Sequence, residues 1–531
     1  MDALVDDYVA ELCEESPATA SFLGIPGHDH RSPDLSAAGF LRRERQDDRW
    51  LERLASLADD ELDGDERIDR DFLAAELRGR GVMRDWAEWR RSPDTYATGA
   101  LMGVLTLLTH RTLPEPELVT AVEARLLAMP ELLLAGEANL EAELASPLLV
   151  RRAVGQCHAA EVYTRDLVAA EVADDKGRSR LTEAGALASE AFVKFRRFLE
   201  DLSDRAEGSH AIGAARYTAL LRQRELLEDD AHSLRERGRE AYDRLDAEMG
   251  EVARAIDGAD DWRAAVQRLN DDRPADPDEM RAGYEQWTQR ARTFVVEREL
   301  VTLPDDEECR VVPSPTFQRP MLAVASYFPP PVFGTSRTGH FFVPYPPDGT
   351  GPDEVAERLA NNSFPAMPTI SVHEAYPGHH WHFTVLADSR PLRRVHRSTY
   401  FVEGWGLYVE KMMREQGFFS DPGQELAHLD FRIFRAARIV VDVGLHTGEM
   451  EVDEAVAWMR DHTSLSEPNA RAEVARYCAW PTQASSYLTG SLEIERLASA
   501  AGDLRAFHDT IAASGGLPIA LAERSLALST G

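Results

Sequence analysis

Lysine is almost missing from this chain: Lys176, Lys194 and Lys411 are the only three among 59 basic side chains in 531 residues. That scarcity points to no function. Positive charge as a whole is also short, because 92 acidic residues leave a net charge of −33. Such a surface repels phosphate, which argues against nucleic acid and anionic membranes as partners. We read the charge as a solvated acidic surface rather than as a device for cationic substrates. Cysteine is scarce too: Cys13, Cys157, Cys309 and Cys478 lie far apart without a C-x-x-C pair, as expected of reduced, packed thiols. No apolar run approaches the roughly 18 residues of a membrane span. The acidic start, Met1 to Asp7, lacks a basic region followed by an apolar one, so the expected compartment is the cytoplasm. No period of roughly 20 to 50 residues repeats, which excludes a solenoid.

What the chain does have is helical periodicity. Apolar positions recur at helical spacing over Asp2 to Glu15, Ser36 to Leu57, Asp65 to Arg91, Glu117 to Met129, Arg151 to Ala173, Leu181 to Leu202 and Ala214 to Ala255. Near Leu300 the character changes. Three short β-prone runs, Glu308 to Pro313, Met321 to Tyr327 and His340 to Val343, predict a small sheet, and Pro344 suits an edge strand. After residue 371 the pattern is helical again to the end. The expected fold is mainly α, a large multi-helix fold with a deep central cleft and a small β-sheet beside the helix that carries the motif described next. Residues 1–300 form one wall of the cleft and residues 301–531 the catalytic part, in one continuous fold.

Four of the sixteen histidines fall within ten residues, in the run His373-Glu374-Ala375-Tyr376-Pro377-Gly378-His379-His380-Trp381-His382. In H-E-x-x-H two histidines one helical turn apart bind zinc and the glutamate acts as general base. Here the position one turn on is Pro377. An unbroken helix would set His380 about 10 Å along the axis from His373 and swing His379 around the cylinder. Pro377 and Gly378 permit a break that returns a later histidine to the first, so we read H-E-x-x-H with two inserted residues. A zinc hydrolase needs a third protein ligand and an open position. Glu403 opens an amphipathic run and lies 24 residues after His379, a gap that fits one helix, a turn at Ser389-Arg390-Pro391 and an antiparallel return. His380 remains an alternative ligand or a supporting residue, and His382 or Glu410 would be the ligands if the metal were held elsewhere. Trp405 and Tyr408 read as packing. Further on, Asp442 and His446 stand at i and i+4 of a helix from Asp430 to His446. Asp442 would support a ligand and His446 would stabilise an oxyanion, unless the two are a plain helix pair.

The motif H-E-A-Y-P-G-H-H followed by E-G-W-G-L-Y resembles the signature of a large bacterial family, domain-of-unknown-function family 885. That family is regarded as metallopeptidase-like, with a site similar to those of helical zinc peptidases such as angiotensin-converting enzyme, thimet oligopeptidase and Taq-type carboxypeptidase. The converting enzyme has the same spacing from second histidine to ligand glutamate, which favours His379 over His380. The resemblance implies one Zn2+ held by His373, His379 and Glu403, with Glu374 as general base in hydrolysis of an amide bond. It also implies an edge strand that pairs with substrate, here the strand containing Phe342, unless that strand belongs to a purely structural hairpin. Tyr487 or Tyr477 would donate to the oxyanion, and Arg476 would hold a substrate carboxylate. The expected substrate is a short peptide or peptide-like molecule, and the expected assembly a monomer or homodimer. Two other functions fit the same residues: hydrolysis of a specialised acylated metabolite, and a non-catalytic helical binding module with a structural metal.

Overall fold

The computed structural model describes residues 1–316, 318–319, 324–347 and 349–530. The protein is mainly α with one three-stranded sheet, as the periodicity predicts. The chain forms two compact units.

The first unit comprises Met1–Ile212 and the short return Pro331–Thr335. Its longer helices are α1 (Asp2–Glu15), α2 (Ala37–Ala55), α3 (Gly64–Arg84), α4 (Asp94–His110), α5 (Glu115–Asn139), α6 (Pro147–Val162) and α7 (Asp175–Ser203). Local chemistry sets their starts. Ser36 and Asp174 cap α2 and α7 through their side chains, and Asp63 with Glu66 forms a reciprocal capping box on α3. Helix α5 runs ten residues past the expected end at Met129, through Pro130. The proline removes one backbone hydrogen bond. The burial of Leu132 and Leu133 beyond it, about 1.5–3 kcal/mol for each fully buried side chain, offsets that loss. Helix α3 is shorter than expected: it stops at Arg84, and the chain turns at Ala87, whose φ is +52°. Helix α6 likewise ends at Val162 rather than near Ala173, where the backbone widens into a single π turn.

The second unit comprises Gly213–Pro330 and Ser336–Gly531. The pattern over Ala214 to Ala255 forms helices, as expected. Its main part is α8 (Ala231–Asp257), and the chain before it bends at Leu226, whose φ is +56°. Helix α9 (Pro277–Glu297) leads to the sheet strands β1 (Glu308–Pro313), β2 (Ser326–Phe328) and β3 (Thr338–Val343). Residues 321–323 of the expected middle strand lie outside the described residues. The strand order is β1-β3-β2, with β3 parallel to β1 and antiparallel to β2. The strand before Pro344 is therefore central, not an edge; the proline follows its last residue and interrupts no ladder. The edge nearest the motif is β2.

The motif helices follow: α10 (Met367–Glu374), α11 (His379–Leu386) and α12 (Thr399–Glu415), then α13 (Pro422–Thr447), α14 (Glu467–Ala479) and α15 (Ser486–Ser499). Helix α12 packs on α10 and α15, while α13 packs along α8. Trp381, Trp405, Tyr400 and Phe401 are fully buried here, so the helices that carry the motif residues are also the core of this unit. Among the described residues no helix is long and apolar enough to cross a membrane.

Candidate metal centre

Helix α10 ends at Glu374 because Ala375 leaves the helical region, at φ −117° and ψ −86°. The Tyr376–Pro377 bond is cis, and α11 begins at His379. A Cβ on Gly378 would lie 1.9 Å from the carbonyl oxygen of His373 and 2.2 Å from that of Val372. The loop thus folds back onto the last turn of α10 so tightly that only glycine fits. Trp405 ties it down by donating from Nε1 to the Pro377 carbonyl at 2.9 Å, and its ring stacks on Trp381 at 5.4 Å.

This break brings His379 beside His373, with ring centroids 4.6 Å apart. Helix α12 returns with Glu403 facing both. Its Oε2 lies 3.8 Å from His373 Nε2 and 3.6 Å from His379 Nε2, and the three ligand atoms fall within 4.8 Å of one another. These separations are too long for hydrogen bonds. They are close to the roughly 3.3 Å between two donors each about 2 Å from one tetrahedral ion. The donor set, two imidazoles and one carboxylate, is one that zinc takes in hydrolytic sites. The residues present therefore fit the ion.

Support for His373 strengthens that fit. Its Nδ1 bonds to Glu410 Oε1 at 2.7 Å, which turns Nε2 toward Glu403, the carboxylate–imidazole arrangement usual behind a metal ligand. Glycine at 406 leaves room for the ring: a Cβ there would meet its Cε1 at 2.5 Å. Burial works against a charge on His373, but the carboxylates of Glu403 and Glu410 outweigh it and lift its pKa to about 10. Burial likewise opposes the charge on Glu410, and the hydrogen bond to His373 together with the His428 imidazole 3.6 Å away overcomes it and lowers the carboxyl to about 2. His379 has no such backing, because its Nδ1 is buried without a hydrogen bond.

The cluster opens into a cavity of about 360 Å³ that Glu374 also lines. Burial pushes the Glu374 carboxyl above the usual range, aided by Glu403; the imidazoles of His373 and His379 and the Tyr327 amide pull the other way. Across the cavity stand Tyr487, Arg435 and Arg438.

His380 faces elsewhere. Its Nε2 bonds to Glu307 at 2.7 Å and its Nδ1 to the Tyr327 hydroxyl at 3.0 Å, while Tyr376 and Arg292 donate to the same Glu307. Both of its nitrogens are thereby used on the sheet side. His382 is packed between Phe383 and Phe401, and burial lowers its pKa to about 3. Asp442 and His446 do not line the cavity. Asp442 accepts from Tyr217 at 2.5 Å, and His446 donates from Nε2 to the Tyr477 carbonyl at 2.9 Å. Arg476 is engaged by Glu473 at 2.8 Å and Gln483 at 2.6 Å, and the Tyr477 hydroxyl donates to Glu473 at 2.7 Å. Phe342 is buried in β3 against Phe328. Of the residues expected to touch substrate or oxyanion, the structure brings only Tyr487 to the cavity. Sequence reasoning passed over Arg435 and Arg438, and over Glu410 as support for His373.

Fold and site together define a mainly α protein with a two-histidine, one-glutamate cluster at a helix break. The chain belongs to the family described as bacterial protein of unknown function (DUF885), which matches residues 17–526. It is similar in structure to a provisionally named lipoprotein of unknown function from Shewanella oneidensis, at 20% identity and TM-score 0.79, covering 99% of each chain. A second similar structure is a provisionally named lipoprotein from Colwellia psychrerythraea, at 20% identity and TM-score 0.84, covering 99% of this chain and 98% of that one. A comparison with curated proteins finds no match. The likeness to the two structures concerns the fold, and the family description carries no activity.

Proposed function

We propose that the protein is a zinc-dependent hydrolase of amide bonds in short peptides or peptide-like small molecules. The observation that carries this reading is the meeting of His373 Nε2, His379 Nε2 and a Glu403 oxygen at one point, with the further carboxylate of Glu374 in the same cavity. His373, His379 and Glu403 would hold the ion, which when bound supplies Lewis acidity to a water and to the amide carbonyl. Glu374 takes the proton of the attacking water and passes it to the leaving amine. The Tyr487 hydroxyl, which accepts a hydrogen bond from Gln483 at 3.3 Å, is free to donate to the developing oxyanion. A structural metal site has no need of Glu374, and this weighs against a non-catalytic module. The cavity volume favours a small substrate, which leaves an acylated metabolite within the same chemistry.

The test combines metal analysis with digestion of a broad peptide library. About one zinc per chain is expected, with cleavage that a chelator abolishes and zinc, cobalt or manganese restores. Cleavage that survives removal of all metal would sink the reading, as would a metal-loaded protein that turns over no amide.

A further inference from the structure

On α13 three arginines follow at intervals of three residues: Arg432, Arg435 and Arg438. The outer two each have an acidic partner, Glu495 for Arg432 and Glu473, at 2.9 Å, for Arg438. The middle one has no acid at ion-pair distance among the described residues; Glu410 and Glu403 act on it from farther away. Among the described residues no carboxylate oxygen comes within 4.0 Å of the Arg435 guanidinium. Its hydrogen bond runs back to its own helix, from Nη1 to the Phe431 carbonyl at 3.1 Å, and its Nε is buried without a partner. Most of the five N–H donors of this side chain are therefore uncommitted.

Three rings surround it. Phe431, Phe434 and Tyr487 have centroids 5.1, 5.4 and 5.8 Å from its Cζ. Aromatic faces offset part of the cost of a poorly hydrated cation and restrict the orientation of the fork, but they are not counter-ions. A half-buried guanidinium that rings orient, and that feels Glu410 and Glu403 only at longer range, gains charge-assisted hydrogen bonds when a carboxylate arrives. Arg435 lines the same 360 Å³ cavity as His373, His379 and Glu403. Glu374, Glu403 and Glu410 line it too, so a doubly charged phosphate would meet more repulsion than a single carboxylate.

We propose that Arg435 is a carboxylate-binding subsite, and that the ligand of this cavity is a small amide or peptide end whose carboxylate it grips while the amide lies at the His373–His379–Glu403 cluster. The cavity is at the small end of ligand pockets, so the carboxylate and the amide must be close together in one molecule. The proposal deepens the hydrolase reading and rests on it for the role of the amide, but recognition of the carboxylate requires no turnover.

The experiment is calorimetric titration of the full chain with N-acetyl-alanyl-alanine and with its C-terminal amide, which differ only at the carboxylate. Titrations are run on chelator-treated and on zinc-loaded protein. The metal-free chain is expected to bind the acid on the order of 10- to 100-fold more tightly than the amide, the range of a charge-assisted hydrogen-bonded pair. Arg435→Gln should erase that preference. Arg435→Lys should keep part of it, since an ammonium retains the charge without the fork. The wild-type comparison stands even if both variants fail to fold. Equal binding of the two probes, no measurable binding of the acid, or a preference present only in the zinc-loaded protein would each overturn the subsite. So would an Arg435→Gln protein that binds both probes normally and loses only kcat, because Arg435 would then serve the oxyanion. A clear preference for the acid with hydrolysis of neither probe supports the subsite while counting against the hydrolase.

Discussion

Replacing Gly406 by alanine tests whether metal affinity can be lost without loss of fold. The added methyl would sit 2.5 Å from Cε1 of His373, 2.8 Å from its Nδ1 and 2.9 Å from its Nε2. Ordinary contact begins near 3.4 Å, so the ring must retreat by about 0.9 Å. Metal–ligand distances tolerate about 0.2 Å, and the same retreat lengthens the 2.7 Å bond from Nδ1 to Glu410. Both the ligand and its support are then compromised, and zinc affinity should fall by at least the 10- to 100-fold typical of losing the support alone. Stability pulls the other way. Position 406 lies inside α12, where alanine is favoured over glycine by about 1 kcal/mol, so strain from the displaced ring is partly offset. The expected outcome is a protein that melts within a few degrees of wild type yet gives up zinc to a weak chelator. Competition titration read by elemental analysis, paired with thermal melts, measures both. Zinc retained with wild-type affinity would refute the placement of the ion at His373 Nε2.

Three further outcomes are expected. Glu374→Gln should keep the metal and reduce turnover by about 10²- to 10⁴-fold, measured as kcat on any substrate the library yields; loss of zinc in this variant would make Glu374 a ligand. His379→Ala should empty the site, while His380→Ala should keep its zinc, because the His380 nitrogens are committed to Glu307 and Tyr327; elemental analysis of the two variants decides. Finally, burial raises the Asp442 carboxyl to about 7, so between about pH 4 and 7 the folded chain binds a proton that the unfolded chain does not. Stability should fall as pH rises through that window, by up to about 4 kcal/mol from this group. In Asp442→Asn, denaturant titrations should show the window flatten, and an unchanged pH profile would rule the effect out.

The helical class was legible because buried faces repeat at helical spacing over long stretches. Boundaries were less so. Pro130 reads as a stop, yet α5 continues past it because the apolar face of Leu132 and Leu133 outweighs one missing hydrogen bond. The strand before Pro344 reads as an edge, but strand order is set by long-range pairing that no local residue announces. The clustering of His373, His379 and Glu403 follows from spacing plus a proline–glycine break, both written in the chain. The opposite wall does not. Arg435 and Arg476 look alike in sequence; what separates them is that Glu473 and Gln483 engage Arg476, while among the described residues no acid comes within ion-pair distance of Arg435. The outer two arginines of α13, Arg432 and Arg438, are buried and are matched by Glu495 and Glu473, partners that lie far away in the chain and that no local pattern announces.

The two adjacent histidines, which look like a spare pair, are a division of labour. Neighbouring positions on a helix point about 100° apart, so at the first turn of α11 one imidazole looks into the cavity while the next looks at the sheet wall. His379 meets Glu403, and His380 is clasped by Glu307 at the foot of β1 and by Tyr327 of β2. The dipeptide works as a corner bracket: one arm carries the working end and the other bolts it to the frame. A bracket with its arms exchanged does not hold, so neither imidazole can stand in for the other. A chain in which the pair were shifted one residue later would present the cavity at position 379 with no imidazole to meet Glu403.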